Sequence, residues 1–253
     1  DKIEKAITNK TTAILPVHVY GNPCNDSIIK KIAESNNLKV IYDAAHAFGV
    51  KKNDNSILNF GDLSVLSFHA TKVYSTIEGG AIICHSQEMK HHIDNLKNFG
   101  FRGELIVEEP GINAKLNEVQ AAYGLLQLKY VDGFIARRKE ITEFYRSLLK
   151  DTHGIRFLDD MVGVAHGYSY FPILIDVEQF GKSRDEVYEM LKENNIFARR
   201  YFYPLISSFE PYHELVSANP DNLLVATKVS EQVLCLPIYV ELEDEQVHYI
   251  TEL

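Results

Sequence analysis

Basic residues are in deficit in this chain of 253 residues. It contains 26 Lys and Arg against 35 Asp and Glu, a formal net charge of −9. This negative balance argues against nucleic acid or an anionic membrane as the main partner, because phosphate groups repel it. It does not exclude an anionic small substrate, since the local charge of a pocket decides what binds there.

Cysteine and long apolar runs are also scarce. The three cysteines, Cys24, Cys84 and Cys235, are widely spaced and form no CxxC motif. An odd number without paired spacing favours a reduced, cytoplasmic protein. No apolar run approaches membrane-spanning length, so we expect neither a transmembrane segment nor a signal peptide. The length suits one large domain or two smaller ones.

One lysine lies between two predicted core strands. Residues 63–68 are apolar and β-prone, Lys72 follows in a polar loop, and Gly79 and Gly80 precede a second apolar run at 81–84. Apolar surroundings favour the neutral amine, which attacks aldehydes to form a Schiff base. On spacing alone an ordinary solvated loop lysine is the commoner alternative.

A carboxylate ends another predicted strand. Residues 38–42 are β-prone, Asp43 follows them, and His46 comes three residues later. Ligands of open α/β sheets collect at the carboxyl ends of strands. A carboxylate there can pair with the protonated pyridine nitrogen of pyridoxal phosphate, or it can cap the next helix. Asp43 and Lys72 together favour the cofactor.

Four ordered segments carry a family resemblance. They are Pro16–Gly21, Ile41–His46, Ser67–Lys72, and Asn113 with the following residues 117–122. Together they resemble the DegT/DnrJ/EryC1/StrS family of pyridoxal-phosphate sugar aminotransferases over nearly the whole chain. The resemblance implies an α/β protein of transferase fold type I, like aspartate aminotransferase. Its sheet is mainly parallel, and a smaller α+β domain follows.

The resemblance also implies a domain organisation. We expect a large cofactor-binding domain over residues 1–133, incomplete at its N-terminus. A small C-terminal domain with the connecting helix is expected over residues 134–253. The family carries a further stretch ahead of this sequence, so we expect the sequence to be a fragment.

The family motifs imply a role for each of five residues. Lys72 forms the Schiff base and moves the proton between substrate and cofactor. Asp43 keeps the pyridine nitrogen protonated, and His46 occupies a position, often glutamine, near the ring and its 3-oxygen. Ser67 binds the cofactor phosphate, and Asn113 resembles an asparagine that reaches this phosphate from the partner subunit of a homodimer.

Two histidines have open roles. His69 lies inside the lysine motif, where it either contacts ligand directly or orients the lysine loop. His18 is similar and is more readily explained as a structural residue.

A basic, aromatic segment has two interpretations. Arg199, Arg200, Tyr201 and Tyr203 either face a nucleotide diphosphate or donor carboxylate, or form a solvated strand edge. The family has Pro-Leu-His next, whereas this chain has residues 204–206 as Pro-Leu-Ile, so the family role transfers weakly here.

The implied activity moves an amino group from glutamate to a nucleotide-linked keto-deoxysugar. The sequence of residues 17–24 most resembles the same segment of family members that aminate C4 of dTDP-4-keto-6-deoxy-D-glucose, giving dTDP-4-amino-4,6-dideoxy-D-glucose. Amination of a C3-keto or a UDP-linked sugar is the alternative. A family dehydratase is disfavoured because those enzymes replace the lysine with histidine.

A metal-dependent hydrolase or oxygenase is the rival class. Asp43, His46 and His69 could form a carboxylate-and-two-histidine site, which would leave Lys72 without a role. Three further histidines, His85, His91 and His92, make a weaker set, because adjacent residues of a helix point to different faces.

The periodicity predicts several elements that the structure tests. We expect a strand over 13–19, a helix capped by Asp26 or Ser27, and a loop over 47–61. A helix after Asn117 should bury an apolar stripe. Its members are Val119, Tyr123, Leu126 and Tyr130. A strand over 196–203 and a helix over 222–234 are expected further on.

Overall fold

The structure is a computed structural model that describes residues 2–253. Strands follow in chain order as β1 (Ala13–Ile14), β2 (Lys39–Asp43), β3 (Lys51–Lys52), β4 (Asn55–Ser56), β5 (Leu63–Ser67), β6 (Gly80–Cys84), β7 (Phe101–Arg102), β8 (Ile106–Val107), β9 (Ile155–Phe157), β10 (Val164–Ala165), β11 (Phe171–Ile175) and β12 (Val233–Leu236). Helices follow as α1 (Lys2–Ala6), α2 (Asp26–Ser35), α3 (Gln87–Leu96), α4 (Glu118–Gln127), α5 (Val131–Leu149), α6 (Val177–Phe180), α7 (Arg184–Glu193), α8 (Leu224–Gln232) and α9 (Asp244–Glu252).

The chain divides into two compact units. The first comprises residues 2–135 and 161–169, and the second comprises residues 136–160 and 170–253. Helix α5 begins in the first unit and ends in the second.

A mixed sheet organises the first unit. Its strand order is β1-β2-β5-β6, with β1, β2 and β5 parallel and β6 antiparallel to β5. Val40 and Tyr42 of β2 are buried against Ile29 and Ala33 of α2. Because β2 and β5 are parallel, their carboxyl ends meet at one edge of the sheet. That edge carries Asp43 and the segment after β5.

The segment between β5 and β6, residues 68–79, is called the lysine loop here. The Phe68 amide donates to the Gly79 carbonyl (2.8 Å), and the Thr76 amide donates to the Phe68 carbonyl (2.9 Å). The Thr76 hydroxyl donates to the carbonyl of Glu78 (2.7 Å). Gly79 has φ +151°, and a side chain there would collide with the Thr76 hydroxyl. The loop is therefore fastened at both ends.

The second unit has its own sheet and core. Strand β11 pairs antiparallel with β12 on one side and β9 on the other. Helix α7 contributes Val187 and Leu191 to the core, and α9 contributes Val247 and Ile250. Ser183 makes a capping box with Glu186 that starts α7.

Several predicted boundaries in the first unit are wrong. The first strand stops at Ile14, and a 3-10 turn covers Val19–Gly21. The predicted loop 47–61 contains β3 and β4, which pair with each other, and β3 also pairs with β10. The cap of α2 is Asn25, whose side chain accepts the Ile28 amide (3.4 Å).

In the second unit one predicted strand is wrong, and one predicted helix is present but ends earlier than expected. Residues 196–203 form only a single bridge, Arg199 with Cys235, and the chain then turns as the Tyr203 amide donates to the Arg200 carbonyl (2.7 Å). The predicted helix 222–234 ends at Gln232, because the next four residues are buried and pair with β11.

The apolar stripe of α4 is exposed rather than buried. Val119 is 79% exposed and Leu126 is 54% exposed, and Tyr123 and Tyr130 are also open to solvent. The face that does pack inward is marked by buried Gly124, which lies against Tyr74 and Thr76 of the lysine loop. The helix therefore seats its small residue on the loop and leaves its large apolar residues uncovered in the single chain.

Candidate active site

The carboxylate of Asp43 is fixed at the edge where β2 ends. Its Oδ1 accepts the amide of Ala45 (3.0 Å). Its own amide donates to the Pro16 carbonyl and its carbonyl accepts the His18 amide, both at 2.9 Å. The Ala44 amide donates to the Val65 carbonyl of β5 (2.8 Å). Backbone bonds to both neighbouring segments thus hold this position.

His46 lies beside Asp43 in a defined tautomer. The backbone amide of Tyr20 donates to its Nδ1 (3.1 Å), and the two rings are nearly parallel. Because a backbone amide can only donate, Nδ1 carries the lone pair and the ring proton belongs on Nε2. Burial, reinforced by the charge of Lys72, lowers the pKa of His46 to about 4. His46 is therefore a neutral hydrogen-bond donor through Nε2.

Lys72 lies within electrostatic range of His46. Its positive charge contributes to the lowered pKa of the histidine, against which Asp43 acts in the opposite direction. The Lys72 amide donates to the carbonyl of His69 (2.9 Å), which forms a tight turn in the lysine loop. The structure therefore brings Lys72 close to Asp43 and His46, which belong to a much earlier part of the sequence.

Apolar side chains form the floor of the lysine loop. Val73 and Tyr74, which follow Lys72, are buried. The Tyr74 ring stacks on Phe48 (4.4 Å between centroids) and meets Phe68 edge-on (4.8 Å). This rigid aromatic packing of the residues that follow Lys72 fixes the lysine loop.

Ser67 precedes the loop at the end of β5. Its Oγ accepts the backbone amide of His69 (3.3 Å). Since the serine oxygen acts as acceptor in that bond, its hydroxyl proton can be donated to an anion such as a phosphate. This arrangement fits the predicted phosphate contact.

The two histidines with open roles differ in environment. His18 is fully buried, its Nδ1 accepts the Cys24 amide (3.0 Å), and its ring stacks on Tyr42 (4.5 Å). Burial lowers the pKa of His18 to about 4. His69 is half exposed and contacts Thr71 and Glu78 of the lysine loop. His18 is thus part of the core packing, and His69 is part of the loop.

The remaining predicted residues lie elsewhere. Asn113 is exposed, and its Oδ1 accepts from the Lys115 ammonium (2.6 Å). Arg200 and Tyr203 belong to the second unit, where Arg200 donates to Asp185 (2.8 Å). The Tyr203 ring packs against the guanidinium of Arg184 (4.3 Å).

Tyr20 is a site residue that the sequence did not indicate. It has φ +57°, a conformation that non-glycine residues seldom adopt, and its amide donates to Nδ1 of His46. The only signal was its place inside the segment Pro16–Gly21. No local pattern predicts a left-handed tyrosine, so this contact had to be seen in the structure.

The geometry does not favour the metal alternative. Among residues 2–253, no three His, Cys, Asp or Glu side chains are grouped so that they could hold a metal ion. The Nδ1 atoms of His46 and His69 are occupied by Tyr20 and Thr71. Neither histidine set proposed from the sequence therefore gains support.

The donor set suits pyridoxal phosphate. An amine, a carboxylate at a strand end, a neutral imidazole donor and a serine hydroxyl are the groups that its aldehyde, ring nitrogen, 3-oxygen and phosphate require.

Within residues 2–253, no helix is both long enough and apolar enough to cross a bilayer.

A mainly parallel sheet with a lysine and a carboxylate beyond the carboxyl ends of neighbouring strands is typical of a cofactor-dependent transferase. The model of the DegT/DnrJ/EryC1/StrS aminotransferase family matches residues 1–253. The chain belongs to this family, whose members use pyridoxal phosphate.

Known relatives agree with this assignment. The chain is 52% identical to dTDP-4-amino-4,6-dideoxy-D-glucose transaminase from Shigella dysenteriae over 98% of its length and 67% of that protein. It is 52% identical to the protein of the same name from Escherichia coli, over 100% of the chain and 68% of that protein. The crystal structure of DesI in the presence of its TDP-sugar product superposes with a TM-score of 0.93 at 32% identity. That match covers 100% of this chain and 64% of DesI, so the chain spans about two thirds of its relatives.

Proposed function

We propose that this protein transfers an amino group from glutamate to dTDP-4-keto-6-deoxy-D-glucose and yields dTDP-4-amino-4,6-dideoxy-D-glucose. The choice of substrate rests on the 52% identity, over essentially the whole chain, to two transaminases that are named for that product. A GDP-perosamine synthase is only 32% identical to this chain. We therefore base the choice of sugar on the two relatives that are 52% identical to it.

Pyridoxal phosphate supplies an electrophilic aldehyde and an electron-accepting ring when it is bound. In this proposal Lys72 would hold the aldehyde and would serve as the acid and base for the proton at the substrate carbon. Asp43 would keep the ring nitrogen protonated. His46 would present its Nε2 proton to the 3-oxygen, and Ser67 would present its hydroxyl to the phosphate.

The proposed partners and location follow from the family. We place residues 1–133 in a large cofactor-binding domain and residues 134–253 in a small one, within a cytoplasmic homodimer. The exposed Asn113 would contact the phosphate of the cofactor that is bound to the partner subunit. Four further residues either support the residues around the cofactor or contact the substrate in this proposal. They are His69, His18, Arg200 and Tyr203.

The exposed face of α4 supports a homodimer. Large apolar side chains that a single chain leaves in solvent are typical of a surface covered by a partner. Leu105, at the tip between β7 and β8, is 89% exposed, and Ile112, next to Asn113, is 68% exposed. The segment that bears Asn113 therefore has the apolar character of an interface.

A substrate panel tests the function. Purified full-length protein, loaded with pyridoxal phosphate, is incubated with glutamate and dTDP- or UDP-linked 3-keto and 4-keto sugars, and products are identified by mass. We expect the dTDP-linked 4-keto sugar to have a kcat/KM at least about tenfold above the others. Preference for a 3-keto or UDP-linked sugar would replace the substrate, and no amination of any ketosugar would refute the activity.

A further inference from the structure

His69 makes all of its polar contacts inside the lysine loop or at its start. Its amide donates to Ser67, and its carbonyl accepts the Lys72 amide. Its ring Nδ1 lies 2.9 Å from the Thr71 hydroxyl and accepts the Thr71 amide at 3.3 Å. Its Nε2 lies 3.7 Å from a carboxylate oxygen of Glu78. One residue thus connects the proposed phosphate donor, the turn before the lysine and the far end of the loop.

The donors around the ring determine its tautomer. A backbone amide can only donate, so the Nδ1 of His69 must present its lone pair to Thr71. The Thr71 hydroxyl then also donates to Nδ1, and the ring proton lies on Nε2, toward Glu78. A proton on Nδ1 would leave the Thr71 amide without this acceptor, whereas the Thr71 hydroxyl could accept in either tautomer.

We infer that His69 is a positioning residue for Lys72, acting as a neutral imidazole whose Nδ1 holds the Thr71 amide and so sets the turn that aims the lysine. This inference rests on the proposed function, because it concerns the same lysine. The amine must approach within bonding distance of its target, and small misplacements of a reacting group cost large factors in rate.

The side chain of His69 has little other purpose in the fold. It is 47% exposed, so it contributes little to core packing. Its value lies in one acceptor atom, which an asparagine can replace because its Oδ1 lies at nearly the same place as Nδ1. A leucine has similar bulk but offers no acceptor, and this contrast isolates the hydrogen bond from the volume.

The tautomer can be read directly by a two-bond proton–nitrogen correlation spectrum of the histidine rings. His69→Asn identifies the signals by their disappearance. At a pH above the usual histidine pKa of about 6.5, we expect an unprotonated Nδ1 and a protonated Nε2 at His69. A protonated Nδ1 would overturn the inference. This readout requires neither cofactor nor turnover.

The effect on the lysine is tested by kinetics and absorbance. We expect His69→Leu to lower kcat about tenfold or more while KM changes less than about threefold. We also expect it to shift the pH midpoint of the visible absorbance of the bound cofactor, and His69→Asn to restore both to near wild type. A Leu variant that matches wild type, or an Asn variant no better than Leu, would overturn the role.

His92 supplies a matched control. It is 49% exposed and pairs with Glu109 at 2.8 Å on α3, outside the lysine loop. His92→Leu should leave kcat and the absorbance midpoint unchanged, and an equal loss there would show a nonspecific effect and refute the positioning role. If wild-type protein aminates no ketosugar, the function fails, yet the tautomer and absorbance midpoint still decide the role of His69.

Discussion

At the scale of single residues, the site depends on the pairing of each polar atom with a fixed backbone group. Asp43 is held by Ala45, and His46 is held by Tyr20. Both bonds come from backbone amides, which do not titrate and cannot turn away. The tautomer of His46 and the orientation of the Asp43 carboxylate are therefore set by the fold before any ligand enters.

Replacement of Lys72 by alanine should abolish covalent cofactor attachment. Borohydride should fix the cofactor to wild-type protein and not to Lys72→Ala. Loss of the proton-transferring amine alone should lower turnover by about 10²–10⁴-fold. Lys51→Ala, on exposed β3, is the control and should behave as wild type. Retained turnover in Lys72→Ala would contradict the assignment.

Replacement of Asp43 by asparagine should separate binding from chemistry. The amide oxygen can still accept the Ala45 amide, so the fold and cofactor binding should persist. A neutral amide does not hold a proton on the ring nitrogen, and kcat should fall about a hundredfold or more. Absorbance titration measures the binding and steady-state kinetics the turnover. Normal turnover would count against the role of this carboxylate.

The two buried histidines predict a stability loss in mild acid. Burial lowers the pKa of both His18 and His46 to about 4, below the ordinary histidine value of 6.5. Between these values the unfolded chain binds more protons than the folded one, so stability falls as the pH is lowered from about 6.5 to about 4. Each proton contributes a slope of about 1.4 kcal/mol per pH unit.

Urea unfolding of the cofactor-free protein across this pH range measures the slope. His46→Gln removes one of the two titrating groups and should reduce the slope by about half. A variant with the same slope as wild type would show that His46 does not titrate as expected.

At the scale of elements, short sequence patterns predicted the helices. They failed where the secondary structure of a segment depends on a strand that is distant in the sequence. Asn117 caps the helix that the sequence predicts after it, and Ser86 and Ser183 cap α3 and α7 in the same way. Caps are read from a few adjacent residues. Residues 233–236 become a strand only because β11 lies beside them, and periodicity carries no information about that neighbour.

The candidate site shows the same division. Strand ends and the lysine motif could be read from sequence, and the structure brings Asp43, His46 and Lys72 together. The tautomer of His46 could not be predicted, because it depends on the positive φ of Tyr20, 26 residues away in sequence. Exposure of the α4 stripe was equally hidden, since an apolar periodicity does not say which surface covers it.

The contact of α4 with the lysine loop gives a prediction for Gly124. A Cβ at Gly124 would lie 2.6 Å from the Tyr74 hydroxyl and 2.8 Å from the Thr76 methyl. Tyr74 is stacked on Phe48, so a movement of its ring away from a new Cβ would cost this packing energy. Gly124→Ala should therefore destabilise the protein by about 1–3 kcal/mol in chemical denaturation.

Gly133 in α5 is the matched control. No atom lies within 4 Å of a Cβ built there. Gly133→Ala should be neutral or stabilising by up to about 1 kcal/mol, because alanine is the better helix former. Equal effects at the two positions would refute the close packing of α4 on the loop.

At the scale of the whole molecule, the exposed α4 stripe predicts how the chain associates. Leu126→Glu places a charge in the proposed interface and should shift sedimentation from dimer toward monomer. Val162→Glu introduces the same charge at a fully exposed position in the same unit and should leave the dimer intact. A Leu126→Glu protein that remains dimeric would move the interface elsewhere.

The antiparallel pairing of β5 with β6 has a consequence for how new chemistry can arise in this architecture. The peptide that bears Lys72 leaves and re-enters the sheet at one edge, anchored by the Phe68 and Gly79 backbones. The strand register on either side is set by the pairing of β5 with β6, outside the loop. We therefore expect the fold to accept a loop of equal length from a relative, provided that the new residues keep the packing of Tyr74 on Phe48 and of Thr76 on α4.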